Sequence, residues 1–311
     1  VDPGSGSLGP IDGNADDCQG LGPVDGLSRW RLGAVTSAKP SAVPDDLPVH
    51  AMLAKLLDPF LKPAEQQPSA VQPGSVMNQL DDALGQPFLL SHAVAGAQVK
   101  AVDHFVASGN LIFKAGVMHP WAALTLVRGA LESAATAAWL LSSTIEAERL
   151  RRCLRLNHQD LLDQIEFETA LDADAERIAA LRNRRGRLLT RATDLSLDKS
   201  WVAAKLSWQA ILDTVGRELQ PKLASGLSPL LTWQLLSGVT HGRQWASLTG
   251  LEKEIVTDNG DGTVTIKQTT NEAVLYVALA TAAKLFKASS TAYENARLAW
   301  RESPPPGGAS E

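Results

Sequence analysis

Residues 228–248, SPLLTWQLLSGVTHGRQWASL, constrain the fold of this chain more than any other stretch. Ser228-Pro229 is a helix start, a capping hydroxyl followed by proline at the first helical position. The apolar residues behind it predict one continuous helix. A helix that is apolar on nearly all sides cannot face water, so it requires other helices around it. The expectation is the core helix of an all-α bundle. That helix also carries Ser237 and His241 one turn apart, with Gly242 directly after the histidine.

The neighbours are legible as further helical patterns. Residues 87–108 are apolar almost all round and predict a largely buried helix that Gly109 ends. His119-Pro120 opens the next, WAALTLVRGALESAATAAWLL, whose alanines and glycines allow close approach. Ser143-Thr144-Ile145-Glu146 has the form of a capping box and starts a helix to about Leu171. Residues 174–193 predict another, and Trp201, Trp208, Ile211, Leu212 and Val215 mark one that fades towards Pro221. Residues 254–257, EIVT, and 263–266, TVTI, flank the turn-rich DNGDG, which predicts a hairpin. Asn271 then caps a last long helix to about Glu302. The predicted fold is all-α: a single multi-helix bundle over residues 76–302, with one small β-hairpin at 252–268 before the last long helix.

Composition divides the rest. Residues 1–50 hold eight Gly, six Pro and seven Asp, too little apolar surface to offset the entropy of ordering, so residues 1–47 are expected to form a flexible tail. Val1, where an initiator methionine would stand, points to an initiation site elsewhere. Residues 48–75 read as a short amphipathic helix that has to dock on something, followed by a Gln/Pro-rich linker. Residues 303–311, SPPPGGASE, form a loose tail. The net charge of −5 argues against a general nucleic-acid binder, although residues 1–70 carry −4 of it and leave the remainder nearly neutral. Cys18 and Cys153 have neither disulfide-framework nor metal-ligand spacing. No uninterrupted run of 18 apolar residues and no signal-peptide order occur, so a cytoplasmic protein without membrane association is expected. No metal and no cofactor are expected.

Three constellations bear on chemistry. Ser237 and His241 share a helix face. The imidazole either works as an acid/base or phosphate-binding group, or is simply satisfied by a neighbouring carboxylate or carbonyl. Arg128 and Glu132 are also one turn apart, on an otherwise apolar helix. Exposed, such a pair adds only about 0.3 kcal/mol. Partly buried, it is either a structural ion pair that fixes register or an arginine held ready for an anionic ligand with the glutamate orienting it. Residues 177–191 hold six arginines, among them Arg184 and Arg185, and no acid. Such a run tracks a phosphate backbone or is a solvated face partnered by Asp160, Asp163, Glu166 and Glu168. Residues 258–262 lack the ligand positions of a calcium loop and read as a turn. The tryptophans, Trp121, Trp139 and Trp233 among them, are expected as core and interhelix anchors.

Taken together, LVRGALESAATAAWLL, AERLRRCLRL and LLSGVTHG resemble a bacterial domain-of-unknown-function family with a HEPN-like helical bundle, marked by R-x-x-x-E and, much later, S-x-x-x-H-G. The resemblance covers roughly residues 99–242. It places Arg128, Glu132, Ser237 and His241 on the family's recurring polar positions, and Arg152 with them. The wider superfamily includes metal-independent ribonucleases in which R-x(4–6)-H motifs from two subunits form one site. There the arginine stabilises phosphate charge and the histidine helps activate the ribose 2′-hydroxyl. The resemblance therefore implies a homodimer and RNA as a partner. This chain departs from that motif: residues 233–237 contain no arginine, and the nearest one upstream of His241 is Arg217. Arg128 or Arg243 would have to serve instead. Two expectations stand beside each other: a non-catalytic interaction or anion-sensing module, and a ribonuclease effector in defence or stress.

Overall fold

The computed structural model describes residues 48–61, 69–115, 118–219 and 227–299. The expected tails at 1–47 and 303–311, and residues 62–68 of the linker, lie outside these residues. Among the described residues there are eleven α-helices and one two-stranded hairpin before the last long helix, the all-α architecture expected. Two units separate, the helical body and the hairpin tip at residues 254–267.

The helical body is arranged around α4 (Ala122–Ser142), not around residues 228–248. On α4 the residues Ala123, Ala130, Ala134, Ala135, Ala137 and Ala138 are all buried, so neighbouring backbones come close. α3 (Leu90–Gly109) and α11 (Glu272–Arg297) pack against it most extensively. The tightest approach is at Gly129, where a Cβ would lie 2.5 Å from the His104 ring of α3. Ahead of them, α1 (Pro48–Leu57) buries Leu53 and Leu57 and runs into a 3₁₀ turn, Asp58–Leu61. Phe60 of that turn stacks on Phe105 at 4.1 Å and meets Phe286 edge-on, which fixes the short helix to α3 and α11. α2 (Val76–Leu84) supplies Asp81, whose carboxylate accepts the Ser91 N–H and caps α3 from ten residues away.

Several local expectations change. α3 is not buried all round, since His92, Gly96, Val99, Lys100 and Asp103 are exposed along one face. Gly109 ends its α-helical part, but the chain continues as a π-helical turn, Asn110–Lys114. Pro120 lies ahead of α4 and not in its first turn; its carbonyl and that of His119 accept the Thr270 hydroxyl. α5 (Glu146–Ala170) starts without a capping box, because the Ser143 hydroxyl accepts from the Ile145 N–H two residues on, before the helix begins. α6 (Ala175–Asp194) lies where the sequence predicts it, and Asp174 caps it by accepting the Glu176 N–H. The tryptophan-marked segment is two helices, α7 (Lys199–Ala203) and α8 (Trp208–Leu219). Asp198 caps α7 through its carboxylate, and an extended connector separates the two.

Residues 228–248 are likewise two helices, α9 (Pro229–Thr240) and α10 (Gln244–Gly250). Ser228 caps α9 through its hydroxyl, with Pro229 at the start. α11 ends at Arg297, short of Glu302. It is long and apolar enough by composition to cross a membrane, yet Leu275, Leu279, Ala282 and Leu285 are fully buried within the helical body.

The hairpin consists of β1 (Leu251–Asp258) and β2 (Val264–Thr270). Its connection is a turn, as the sequence predicts. Asp258 accepts from the Gly260 N–H, Asp261 accepts from the Thr263 N–H, and Gly260 and Gly262 take the positive φ such a turn needs.

Candidate functional site

The site forms where α9 ends against the middle of α4. His241 is the C-cap of α9. Its own N–H donates to the Ser237 carbonyl, Gly242 donates to Val239 and Arg243 to Gly238, at 3.0, 3.1 and 2.8 Å. The last two bonds, with Gly242 at φ +66°, make a Schellman ending. The glycine after the histidine is therefore the residue that stops the helix. The consequence is that His241 sits exposed on a fixed corner instead of inside a longer helix.

From α4, Arg128 reaches this corner. Its Nε donates to Glu132 Oε1 at 2.9 Å, and both side chains keep 17% of their surface exposed. The same carboxylate oxygen accepts the Trp233 indole N–H of α9 at 2.7 Å. The Arg128 guanidinium carbon stands 5.8 Å from the centre of the Trp233 ring. With Nε held by Glu132, Arg128 NH1 comes to 3.4 Å from His241 Nε2. A neutral imidazole protonated on Nδ1 accepts that contact; a protonated one presents a second cation beside the guanidinium. Thr125 and Thr240 hydroxyls meet at 3.4 Å nearby and tie the same two helices.

Of the four expected residues, the structure brings together Arg128, Glu132 and His241. Ser237 is half-buried on the same stripe of α9, but its hydroxyl makes no hydrogen bond among the described residues; its carbonyl serves only the helix end. The position that links the network is Trp233, expected as a packing anchor. The available signal was its N–H, since a largely buried indole needs an acceptor and Glu132 is the carboxylate within reach.

The remaining expected arginines go elsewhere. Arg152, only 3% exposed, is bound on every side. Its Nε donates to Glu148 at 2.8 Å, NH1 to the Trp139 carbonyl at 2.7 Å and to Ser142 at 3.1 Å, and NH1 and NH2 to Glu218 at 3.0 and 2.6 Å. Burial alone would raise the Glu218 carboxyl, but bonds from Arg152 and Ser142 outweigh it and hold it below the usual carboxylate range. Arg152 thus joins α4, α5 and α8; two carboxylates already neutralise it and its burial leaves it little surface to offer an anion. Arg184 stands 5.8 Å from the Phe88 ring, with its Nε buried and without a hydrogen-bond partner among the described residues. Arg185 neighbours the buried His158, whose pKa is depressed by burial and then by that cation. Neither reaches His241. Of the acids on α5 expected to partner the arginine run, Glu168 does so, with Arg177. Arg243 is exposed next to the site as the residue before α10.

Beside the network a groove of about 870 Å³ opens between α3, α4, α5 and the start of α8, with Glu132 and Trp233 on its lining. His92 and His104 line it too, along with Trp208, Lys100, Lys205, Asp160 and Asp163. Histidine spacing along α3 could not reveal this, because the opposite walls come from segments 50 to 130 residues later. Cys153 takes no part: it is fully buried, donates to the Phe88 carbonyl, and burial pushes its thiol up, which removes the reactive thiolate. Among the described residues no three His, Cys, Asp or Glu side chains gather as metal ligands. No protein-family model, no curated protein and no solved structure matches the chain. What fold and site define is an all-α bundle with an exposed arginine–histidine corner, oriented by a carboxylate and an indole.

Proposed function

We propose that this protein is a non-catalytic ligand-binding bundle that recognises an anionic group at Arg128 and His241. The observation that carries the reading is the 3.4 Å approach of Arg128 NH1 to His241 Nε2 on an exposed corner. Glu132 takes one edge of the guanidinium and leaves the other directed at the imidazole. A carboxylate or phosphate oxygen placed there accepts from the guanidinium and, when Nε2 carries a proton, from the imidazole, and charge-assisted bonds of this kind are the stronger ones. Calorimetry with inorganic phosphate and with acetate tests it. Arg128→Ala and His241→Ala are each expected to weaken binding at least tenfold, while Arg243→Ala does so less. Unchanged affinity in Arg128→Ala would reject the site.

A second reading, a HEPN-like metal-independent ribonuclease, is favoured by the same pair, since an imidazole beside a guanidinium suits proton transfer and phosphate charge. That reading brings with it a cytoplasmic homodimer. It ranks second because the adjoining groove sets Glu132, Asp160 and Asp163 against Lys100 and Lys205, which is a poor track for a polyanion. RNA cleavage and growth arrest on expression, compared between wild type and His241→Ala, decide it. Equal outcomes would remove the ribonuclease.

A further inference from the structure

We infer that the anion held at Arg128 and His241 is one end of a zwitterion, and that the ligand is an α-amino acid with a large apolar side chain. The inference rests on the anion-binding reading above and adds a second charge and a side-chain pocket to it. Glu132 spends only one of its two carboxylate oxygens: Oε1 accepts from both Arg128 and Trp233. Oε2 makes no hydrogen bond among the described residues, and Glu132 lines the groove. Arg128 and Glu132 therefore present opposite charges side by side, each with a free edge. A molecule carrying a carboxylate and an ammonium on one carbon is the complement of that arrangement. A simple anion satisfies only half of it.

The groove says what the rest of the ligand is. Arg128 and His241 do not line it, but they adjoin it through Glu132 and Trp233. Its walls include Ala97, Leu156, Leu206 and Ile211, together with Trp208 and Trp233. An apolar or aromatic side chain leaving the α-carbon on the Trp233 side passes along these surfaces, where indole rings provide large contact area. The volume sets no upper limit within the ordinary amino acids, so selectivity is expected to follow apolar area. The lysines and aspartates, Lys100, Lys205, Asp160 and Asp163, are exposed and leave the groove close to neutral, which suits an uncharged side chain.

Calorimetry on the full chain with four probes tests this: L-phenylalanine, N-acetyl-L-phenylalanine, phenethylamine and glycine. L-Phenylalanine is expected to bind at least tenfold more tightly than each of the others, which lack the ammonium, the carboxylate and the side chain respectively. Glu132→Gln keeps an acceptor for Trp233 and is expected to bring L-phenylalanine down to the affinity of its N-acetyl form. Trp208→Ala is expected to reduce the advantage of phenylalanine over glycine. If the N-acetyl form binds as tightly as the free amino acid, and phosphate still binds through Arg128, the ammonium subsite is overturned and the anion reading stands. If phosphate, acetate and N-acetyl-L-phenylalanine all fail to bind, both fall. Binding of L-phenylalanine that neither Arg128→Ala nor Glu132→Gln changes also overturns the proposal, since it then occurs elsewhere.

Discussion

Arg152→Ala is expected to destabilise the protein by about 3–5 kcal/mol, the scale for removing one partner of a buried ion pair. The size follows from what stays behind. Glu148 and Glu218 would keep their charges in partly buried positions, and the Trp139 carbonyl and Ser142 hydroxyl would lose their donor. Three helices would lose a shared tie at once. Arg152→Met tests the reason, because it preserves apolar volume while taking the paired cation from Glu218 and leaving Glu148 with Arg151 alone; it is expected to be nearly as damaging. The double change Arg152→Met with Glu218→Gln is expected to recover part of the loss. Urea unfolding curves at neutral pH measure all three, and a cost below about 1 kcal/mol for Arg152→Ala would show the hub to be only a surface pair. The network also fixes an acid dependence. The Glu218 carboxyl is held below its ordinary range in the folded protein, so its contribution is present above that range and is lost as pH falls through the lowered value. Glu218→Gln is expected to flatten the stability curve on that acid side.

The arginine hub shows where the sequence stops being informative. Arginines on an amphipathic helix look alike in one dimension, and Arg152 resembles Arg151 and Arg155 in spacing and context. What separates them is Glu218, 66 residues later, and the carbonyl that Trp139 exposes near the end of α4. Arg151 and Arg155 instead lie against the Trp201 ring, at 4.0 and 4.3 Å. Helix identity was legible because apolar period is a local property, and the hairpin because DNGDG between two β-branched segments is a local turn code. Helix ends were less so. Asp81 caps α3 from another helix, and Ser143 spends its hydroxyl on a turn where the S-x-x-E spacing predicts a box.

For the site, residue identity was legible and geometry was not. A polar pair on an apolar helix stands out, which is how Arg128, Glu132 and His241 could be singled out. Their meeting depends on α9 stopping at His241, and Gly242 was the sign of that stop. Read as part of a motif, the glycine hides its mechanical role; read as a C′ residue it splits 228–248 into two helices and turns His241 outward. Trp233 was missed for the opposite reason. Its bulk suits a packing anchor, and nothing local in the sequence ties its indole N–H to a carboxylate 101 residues away.

The corner that presents His241 depends on a second glycine, and Gly238→Ala is expected to damage both fold and site. A Cβ at residue 238 would stand 2.6 Å from the Ala246 Cβ and 3.0 Å from the Trp245 ring. The alanine Cβ cannot rotate away, so α10 has to move off α9. Overpacking of this kind costs about 1–3 kcal/mol. Because the Gly238 carbonyl accepts the Arg243 N–H that closes the corner, the displacement passes directly to the residues after His241. Gly242→Ala differs in kind: nothing lies within 4 Å of its Cβ, and only the backbone at φ +66° resists, at about 1 kcal/mol. Gly242→Asn, which tolerates that conformation, is expected to be milder still. The three variants therefore separate strain from crowding. Gly238→Ala is expected to lower Tm the most and to weaken phosphate binding at Arg128–His241, whereas Gly242→Asn leaves binding close to wild type. If Gly238→Ala keeps both stability and binding, the close contact between α9 and α10 does not hold the corner, and the positioning of His241 must rest on the Arg128–Glu132–Trp233 network alone.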